Sequence, residues 1–373
     1  MKFSCEKSSL ISAIVTSASA AAAKSAVASL EGLLIEADAD VSITGYNLKT
    51  GIKTSFDADV TESGSIVLNA RLFGDIVRRF EDDIVTFEAD ENLMVKLSCG
   101  MSEFQIIGIS AVDYPELPTV EFQNSIVIKE SILKDMIRRT IFAVSDNEAR
   151  PIHTGSLFDI ENGELTLVSV DGYRLAIRRE TIGTDAQDGS FVVPGYALSE
   201  VEKILTEDDE KEVKITLGLK HILFSMGRTI LVSRRLEGEF LNYKNSIPKT
   251  AKYEVIVDRR TFQSAIERVS LIINDKLKSP VRCVFGENNV SVLTSTSLGK
   301  ANDECICEGS AENLEIGFNN KYILDALKAA PDDKLKVLLS TSVSPCIIVP
   351  CGEKENFLYM ILPVRLRSNE NKG

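Results

Sequence analysis

The chain has 373 residues, 44% hydrophobic and 26% charged, enough for two or three packed cores of ordinary size. A formal charge of −13 argues against a protein that binds nucleic acid over its whole surface, though not against one that confines its cations to one face. No run approaches the roughly 20 apolar residues of a membrane helix, and Met1-Lys2-Phe3-Ser4-Cys5 passes into an amphipathic segment rather than a signal peptide, so the expectation is a cytoplasmic protein with no membrane partner.

From the N-terminus, a short strand at Lys2-Phe3-Ser4 runs into a helix whose stripe is Leu10, Ile11, Ile14 and Val15. A strand pair follows at residues 32–36 and 41–45, joined by Ala37-Asp38-Ala39-Asp40, and then a second helix with Leu72, Phe73, Ile76 and Val77. The same order returns. Ile126-Val127-Ile128 leads into Ile132, Leu133, Met136, Ile137 and Ile141 at helical spacing. Strands at residues 155–159 and 165–169 flank Glu161-Asn162-Gly163, and Leu198, Val201, Ile204 and Leu205 mark the next helix.

The order returns once more. Val255-Ile256-Val257 precedes Phe262, Ala265, Ile266, Val269 and Ile273; strands at residues 281–285 and 290–294 flank Gly286-Glu287-Asn288; Tyr322, Ile323, Leu327 and Ala330 form the last stripe. A period of about 125 residues is a domain repeat rather than a solenoid unit. Loss of periodicity around Tyr114-Pro115-Glu116-Leu117-Pro118 and Ser246-Ile247-Pro248-Lys249 sets the boundaries. The expectation is an α+β fold of three repeated domains, residues 1–120, 121–249 and 250–373, each with two helices packed on antiparallel sheet.

The seven cysteines (Cys5, Cys99, Cys283, Cys305, Cys307, Cys346, Cys351) include no Cys-x-x-Cys, and the two histidines, His153 and His221, lie far from them in sequence. Cys305-Ile306-Cys307 has strand period, which puts both thiols on one face. Buried thiols in a reducing compartment are expected, with no metal site and no cofactor. Neither histidine has a nucleophile at a recognisable spacing, and neither a phosphate-binding loop nor Gly-x-Ser-x-Gly occurs. Asp82-Asp83, Asp208-Asp209 and Asp332-Asp333 read as solvated turns, so no catalytic residue is assigned.

Charge is segregated. The six helix windows, residues 5–20, 71–79, 129–139, 198–205, 258–268 and 321–328, total +5 and leave −18 for the rest of the chain. Lys134 and Arg138, four apart and opposite the apolar stripe, are expected to point away from the sheet. With Arg71, Arg78 and Lys203 they suggest a phosphate-facing surface that positions nucleic acid without reading its sequence.

Leu167-Val168-Ser169-Val170-Asp171-Gly172-Tyr173-Arg174-Leu175-Ala176, Tyr114-Pro115-Glu116-Leu117-Pro118, Gly317-Phe318-Asn319 and Tyr359-Met360-Ile361-Leu362-Pro363-Val364-Arg365-Leu366 stand in order along this threefold repeat. Together they resemble the bacterial DNA polymerase III beta subunit family, the sliding clamps, over the whole chain. The resemblance implies a head-to-tail homodimer closed into a ring of six similar domains around double-stranded DNA, a non-catalytic processivity factor for replication. By position it adds Lys24 and Arg150 to the DNA-facing set. It also implies a groove that takes a short clamp-binding peptide from the polymerase III alpha subunit, the clamp loader delta subunit, other polymerases and repair proteins. Carried over residue by residue, its wall is Val170, Gly172, Tyr173, Arg174, Leu175, Pro248, Asn319, Tyr322 and Val343, with Met360, Leu362, Pro363, Val364 and Arg365 from the tail.

The chain departs from the family at His153, where a groove-lining aliphatic residue is familiar, and at Pro151-Ile152, where aromatic DNA contacts are familiar. The second linker reads Phe240-Leu241-Asn242-Tyr243 rather than carrying a Phe-Pro pair. The polar tail from Arg367 to Gly373 is expected to be disordered. A protein-only scaffold that uses the same groove without DNA is the competing reading, and the charges at Arg71, Arg78, Arg138 and Lys203 separate the two.

Overall fold

The computed structural model describes residues 1–120, 124–183, 187–274, 279–352 and 354–366; the tail from Arg367 on lies outside the described residues. The first stretch runs β1 (Lys2–Glu6), α1 (Lys7–Ala18), β2 (Gly32–Ala37), β3 (Val41–Tyr46), β4 (Thr50–Phe56), β5 (Asp59–Glu62), β6 (Gly64–Asn69), α2 (Ala70–Arg78), β7 (Ile84–Ala89), β8 (Met94–Cys99) and β9 (Ser102–Ile107). The second runs β10 (Asn124–Lys129), α3 (Glu130–Arg138), β11 (Gly155–Glu161), β12 (Glu164–Val170), β13 (Arg174–Thr181), β14 (Gly189–Pro194), α4 (Gly195–Ile204), β15 (Glu212–Leu217), β16 (His221–Met226) and β17 (Thr229–Arg234). A single turn, α5 (Tyr243–Ser246), precedes the third: β18 (Tyr253–Asp258), α6 (Arg259–Ser270), β19 (Val281–Thr296), β20 (Gly299–Phe318), α7 (Asn320–Ala329), β21 (Lys334–Leu339), β22 (Cys346–Pro350) and β23 (Phe357–Ile361).

The long runs β19 and β20 are each two strands. Residues 280 and 294 would stand roughly 45 Å apart on a straight strand, yet Thr294 Oγ1 donates to the Pro280 carbonyl at 3.2 Å, so β19 doubles back at residues 286–289, where Asn288 has a φ of 56°. Within β20, Gly309, Glu312 and Asn313 have positive φ, and the pairing moves from the second arm of β19 to the first. Apart from β5, an additional short strand that pairs with β1, all three stretches therefore share one order along the chain, and the other four strands between the two helices pair in one order too: β6-β2-β3-β4, β14-β11-β12-β13, and the arms 314–318, 281–285, 290–296, 299–305.

Contacts gather the chain into two compact units, Met1–Lys134 with Tyr196–Arg235, and Asp135–Gly195 with the chain from Leu236 on. In the first, a five-stranded sheet (β5-β1-β7-β8-β9) and an eight-stranded one (β10-β15-β16-β17-β4-β3-β2-β6) are antiparallel throughout. Helices α1 and α2 pack together there, burying Leu10, Ile14, Phe73 and Val77 with Phe3 and Phe87. In the second, one sheet runs β14-β11-β12-β13-β23-β22-β21-β18-β20-β19, with the doubled β20 and β19 at its end. Phe262 of α6 and Leu327 of α7 share its core with Phe285, Phe318 and Tyr359.

The repeat is legible in single hydrogen bonds. The first residue of the first helix donates its backbone N–H to the loop after the second helix in every copy: Lys7 to Asp83 at 2.7 Å, Glu130 to Lys211 at 2.9 Å, Arg259 to Asp333 at 2.7 Å. The side chain at that position ties the end of the second helix as well, with different chemistry each time. Lys7 Nζ donates to the Phe80 carbonyl and Arg259 Nε to the Asp332 carbonyl, each at 2.9 Å. Glu130 instead accepts from Thr206 N at 2.9 Å and Thr206 Oγ1 at 2.8 Å.

Several expectations shift in detail. Val15 and Leu72, read as stripe residues, are half exposed. Ile141 lies in a single 3-10 turn beyond α3, because Thr140 turns its hydroxyl back onto the Met136 carbonyl and ends the helix. Ile273 falls past the end of α6. The cysteines are buried except for Cys351, which is partly buried, and burial raises the thiol pKa values of Cys305 and Cys346 to about 12.

Glu130 is only 4% exposed, and its carboxylate takes both the N–H and the hydroxyl of Thr206. Glu130→Ala is expected to cost about 2 kcal/mol, and Glu130→Gln less, because the amide keeps an acceptor. Urea titration checks this; an Ala variant within about 0.5 kcal/mol of the parent would show that Thr206 finds another partner.

Candidate functional site

The turn between β12 and β13 is built on Asp171. Its Oδ1 accepts from Tyr173 N at 2.9 Å and Arg174 N at 3.0 Å, and Gly172 holds a φ of 90°, a conformation that suits glycine. The other oxygen, Oδ2, takes Arg174 Nε at 2.9 Å. Arg174 is 7% exposed, and a guanidinium so placed needs full compensation. Its Nη1 donates to Asp325 Oδ2 of α7 at 2.6 Å, and its charge lies 4.5 Å above the Tyr322 ring and 5.3 Å from Phe142.

Asn319 caps α7, its Oδ1 accepting from Lys321 N at 3.0 Å and Tyr322 N at 3.4 Å. This sets the Tyr322 ring against Tyr173, centroids 6.0 Å apart and planes 22° from parallel. Tyr173 is 61% exposed, whereas Tyr322 is half buried; burial, with Asp171 next, raises the Tyr322 phenol pKa and keeps it protonated. Beyond β23 the chain is strapped along this wall. Leu362 N donates to the Tyr173 carbonyl and Val364 N to the Gly317 carbonyl, both at 2.8 Å. A Cβ at Gly317 would lie 2.7 Å from the carbonyl oxygen of Val364, so the close approach requires glycine.

The predicted groove residues separate into three groups. Tyr173, Arg174, Asn319, Tyr322 and Leu362 come together directly, followed by Pro363, Val364 and exposed Arg365, and Val343 stands exposed on the loop after β21. Val170, Leu175 and Met360 are buried in an apolar layer with Leu157, Ile347 and Val349, so they are floor rather than wall. Pro248, with Ile247, borders a polar hollow beside Asp159, Arg179 and Lys244, and Ile247 packs against the same apolar layer as Val170, Leu175 and Met360. His153 packs edge-on against Phe240, centroids 5.5 Å apart; burial and then Arg150 lower its pKa, favouring a neutral ring. Sequence reading missed Asp325 and Phe142 as partners of Arg174; the signal for Asp325 is its spacing of three from Tyr322, which puts both on one helix face.

The predicted DNA-facing residues also differ among themselves. Arg71 is almost fully exposed, and Arg78 pairs with Asp75 at 2.9 Å. Arg138 is exposed on α3, and Lys24 and Arg150 are exposed on loops. Lys203 is exposed and pairs with Glu200 at 2.8 Å. Lys134 is held more closely. It is half buried and donates to the Leu205 carbonyl at 2.7 Å, because the end of α4 leaves that carbonyl without an intrahelical partner.

Among the described residues no His, Cys, Asp and Glu side chains converge in a metal-binding group, and no helix is long and apolar enough to cross a membrane. What the assembled wall offers is an aromatic pair beside a leucine and a proline over an apolar floor, a surface for the side chains of an extended peptide.

Comparison with known proteins agrees with the repeat. Models of the DNA polymerase III beta subunit match in three parts: the N-terminal domain over residues 1–118, the central domain over 127–242 and the C-terminal domain over 244–365. The beta sliding clamp of Bacillus subtilis (strain 168) is 31% identical over 98% of this chain and the whole of its own. That of Synechococcus elongatus is 31% identical over 91% of this chain and 92% of its own. Among solved structures, the DNA polymerase sliding clamp from Bacillus subtilis superposes with a TM-score of 0.93 at 30% identity, over 98% of this chain and all of that one. Three domain models in tandem, full-length relatives and a matching fold agree on one conclusion: the chain belongs to the DNA polymerase III beta subunit family, the non-catalytic sliding clamps of DNA replication.

Proposed function

We propose that two copies of this chain join head to tail into a closed ring that encircles double-stranded DNA and holds a replicative polymerase to it. The observation that carries this reading is a pair of open sheet edges. The third inter-helix strand is β4 in the first copy, and its outer edge is taken by β17, the last strand of the second copy. The same edge of β13 in the second copy is taken by β23, the last strand of the third. Among the described residues two edges of these kinds remain: β9 pairs only with β8, and residues 299–305 pair only with β19.

Both open edges carry exposed apolar side chains, Met101, Phe104 and Ile107 at β9, Leu298 and Ile306 at the other. Apolar sheet edges invite pairing with another chain. A heterologous contact between a β9 edge and a 299–305 edge repeats the two seams already within the chain, and it closes a ring when the rotation per copy permits. On this reading residues 1–120, 121–249 and 250–373 are three domains, and two chains supply six.

Arg71, Arg78, Arg138 and Lys203, with Lys24 and Arg150, would then meet the phosphate backbone without reading sequence. The wall of Tyr173, Tyr322, Val343, Leu362, Pro363, Val364 and Arg365 over Val170, Leu175 and Met360 takes a short peptide from the polymerase III alpha subunit, the clamp loader delta subunit, and other polymerases and repair proteins. Arg174 serves that site as a positioning residue, since its charge is already matched by Asp171 and Asp325. The site of action is the cytoplasm, where replication takes place in bacteria.

Three measurements test these parts separately. Ile107→Asp or Ile306→Asp is expected to weaken dimerisation about 100-fold in sedimentation, the loss expected of a central apolar contact; a dimer of parental affinity would remove these edges from the interface. Arg71→Glu with Arg78→Glu and Arg138→Glu is expected to shorten retention on closed circular DNA roughly tenfold, with dimerisation and peptide binding intact. Unchanged retention would remove these residues from the DNA face and favour a protein-only scaffold. Truncation before Leu362 is expected to abolish binding of a clamp-binding peptide but not dimerisation; undiminished peptide affinity would refute the groove.

A further inference from the structure

The turn between β3 and β4 reproduces the backbone of the turn that bears Tyr173. Asn47 takes the place of Asp171, its Oδ1 accepting from Lys49 N at 3.0 Å and Thr50 N at 2.9 Å. Leu48 takes the place of Gly172 and holds a φ of 68°. The adjoining seam corresponds as well: Ser233 pairs with Thr50 as Ile361 pairs with Arg174, and Arg234 N donates to the Lys49 carbonyl as Leu362 N donates to that of Tyr173.

The scaffold is shared and the side chains are not. Where the groove has Tyr173, Leu362 and Pro363, this surface has Lys49, Arg234 and Arg235. Lys220, whose carbonyl accepts from Arg235 N at 3.0 Å, adds a fourth cation. Among the described residues none of these four has a carboxylate within ion-pair distance, in a chain of formal charge −13. Arg235 Nε is buried without a hydrogen-bond partner, a costly omission for a guanidinium. Burial, then Arg234 and Lys220, lower the pKa of His221, the cross-strand partner of Arg234.

Two large apolar side chains stand among these charges. Leu48 is 53% exposed and Leu219 is 64% exposed, the latter beside a hollow of about 200 Å³ bordered by Val120 and His221. A leucine at positive φ costs about 1 kcal/mol that glycine would avoid, so its side chain is held outward at a cost to the fold. Cations alone fit any polyanion; cations around two exposed leucines fit an acidic peptide that also carries apolar residues.

We propose that Lys49, Lys220, Arg234 and Arg235, with Leu48 and Leu219, form a second docking surface, which takes an acidic, leucine-bearing segment of a protein partner. It goes beyond the groove and does not rest on the groove's function, only on the likeness of the two backbones.

The test uses the full-length protein and a short fluorescein-labelled acidic peptide carrying two leucines, followed by anisotropy. Lys49→Glu with Arg234→Glu is expected to weaken binding at least about tenfold. Leu48→Ala with Leu219→Ala is expected to weaken it about threefold, the loss of partly exposed apolar contact. Truncation before Leu362 should leave it unchanged. All the altered side chains are exposed, so thermal unfolding should confirm an intact fold. Binding indifferent to the double charge reversal would overturn the proposal. So would loss of binding on the truncation alone, which would assign the peptide to the groove. Displacement of the peptide by a lower concentration of a short DNA duplex would overturn it too, making nucleic acid the occupant.

Discussion

A β-sheet edge exposes a row of unpaired N–H and C=O groups, and a folded chain has to pair, cover or charge it. In this protein the third inter-helix strand of one copy is covered by the last strand of the next, β4 by β17 and β13 by β23. Each rung adds about 1 kcal/mol net, and the period-two register fixes which side chains face the core. The seam also fixes geometry beyond the ladder. Its final rung binds the residue after the covering strand to the turn before the covered one, Leu362 to Tyr173 in one case and Arg234 to Lys49 in the other. A tail and a turn far apart in sequence thereby become the two sides of one surface.

Arg174 converts that adjacency into a defined wall. A guanidinium this deeply buried is stable only with its donors matched. One carboxylate, Asp171, both shapes the turn through Oδ1 and meets the cation through Oδ2. The second carboxylate, Asp325, lies on α7, so the same cation locks the turn against the helix that carries Tyr322. Removing the cation would leave two carboxylates facing each other and release the stacked Tyr173. At the β4 seam, Thr50 occupies the position of Arg174, and no such clamp is possible there.

Most of the fold was legible because each copy carries the two periods that sequence exposes, 3.6 for its helices and 2 for its hairpins. The turn chemistry was legible too: Asn162-Gly163 and Asn288 do adopt the positive φ that those residues favour. Burial at stripe margins was not. Val15 and Leu72 have helical spacing but stand at the edge of the α1–α2 contact, and spacing alone does not say where the neighbouring helix ends. The bond of Lys134 was not legible either, because spacing does not show an orphan carbonyl within reach, and Leu205 supplies one from 71 residues away. The seams are likewise non-local; nothing in residues 50–56 announces residues 229–233 as their partners.

The arrangement of ion pairs bears on how a clamp holds DNA without gripping it. Most of the helix cations have carboxylate neighbours: Arg78 with Asp75, Lys203 with Glu200, Lys328 with Glu267, Arg260 with Asp333. Exposed pairs of this kind are worth about 0–1 kcal/mol, so a phosphate competes for such a cation on nearly equal terms and leaves it as easily. A ring that is topologically linked to its substrate gains nothing from tight contacts and loses mobility through them. The net charge of −13 then has a physical sense. Acid is spread over the chain, cations on the proposed DNA face are buffered by it, and attraction to the duplex stays shallow enough for sliding. Among the described residues Lys49, Lys220, Arg234 and Arg235 lack that buffering, the opposite of what a sliding surface requires and what a stationary anionic contact uses.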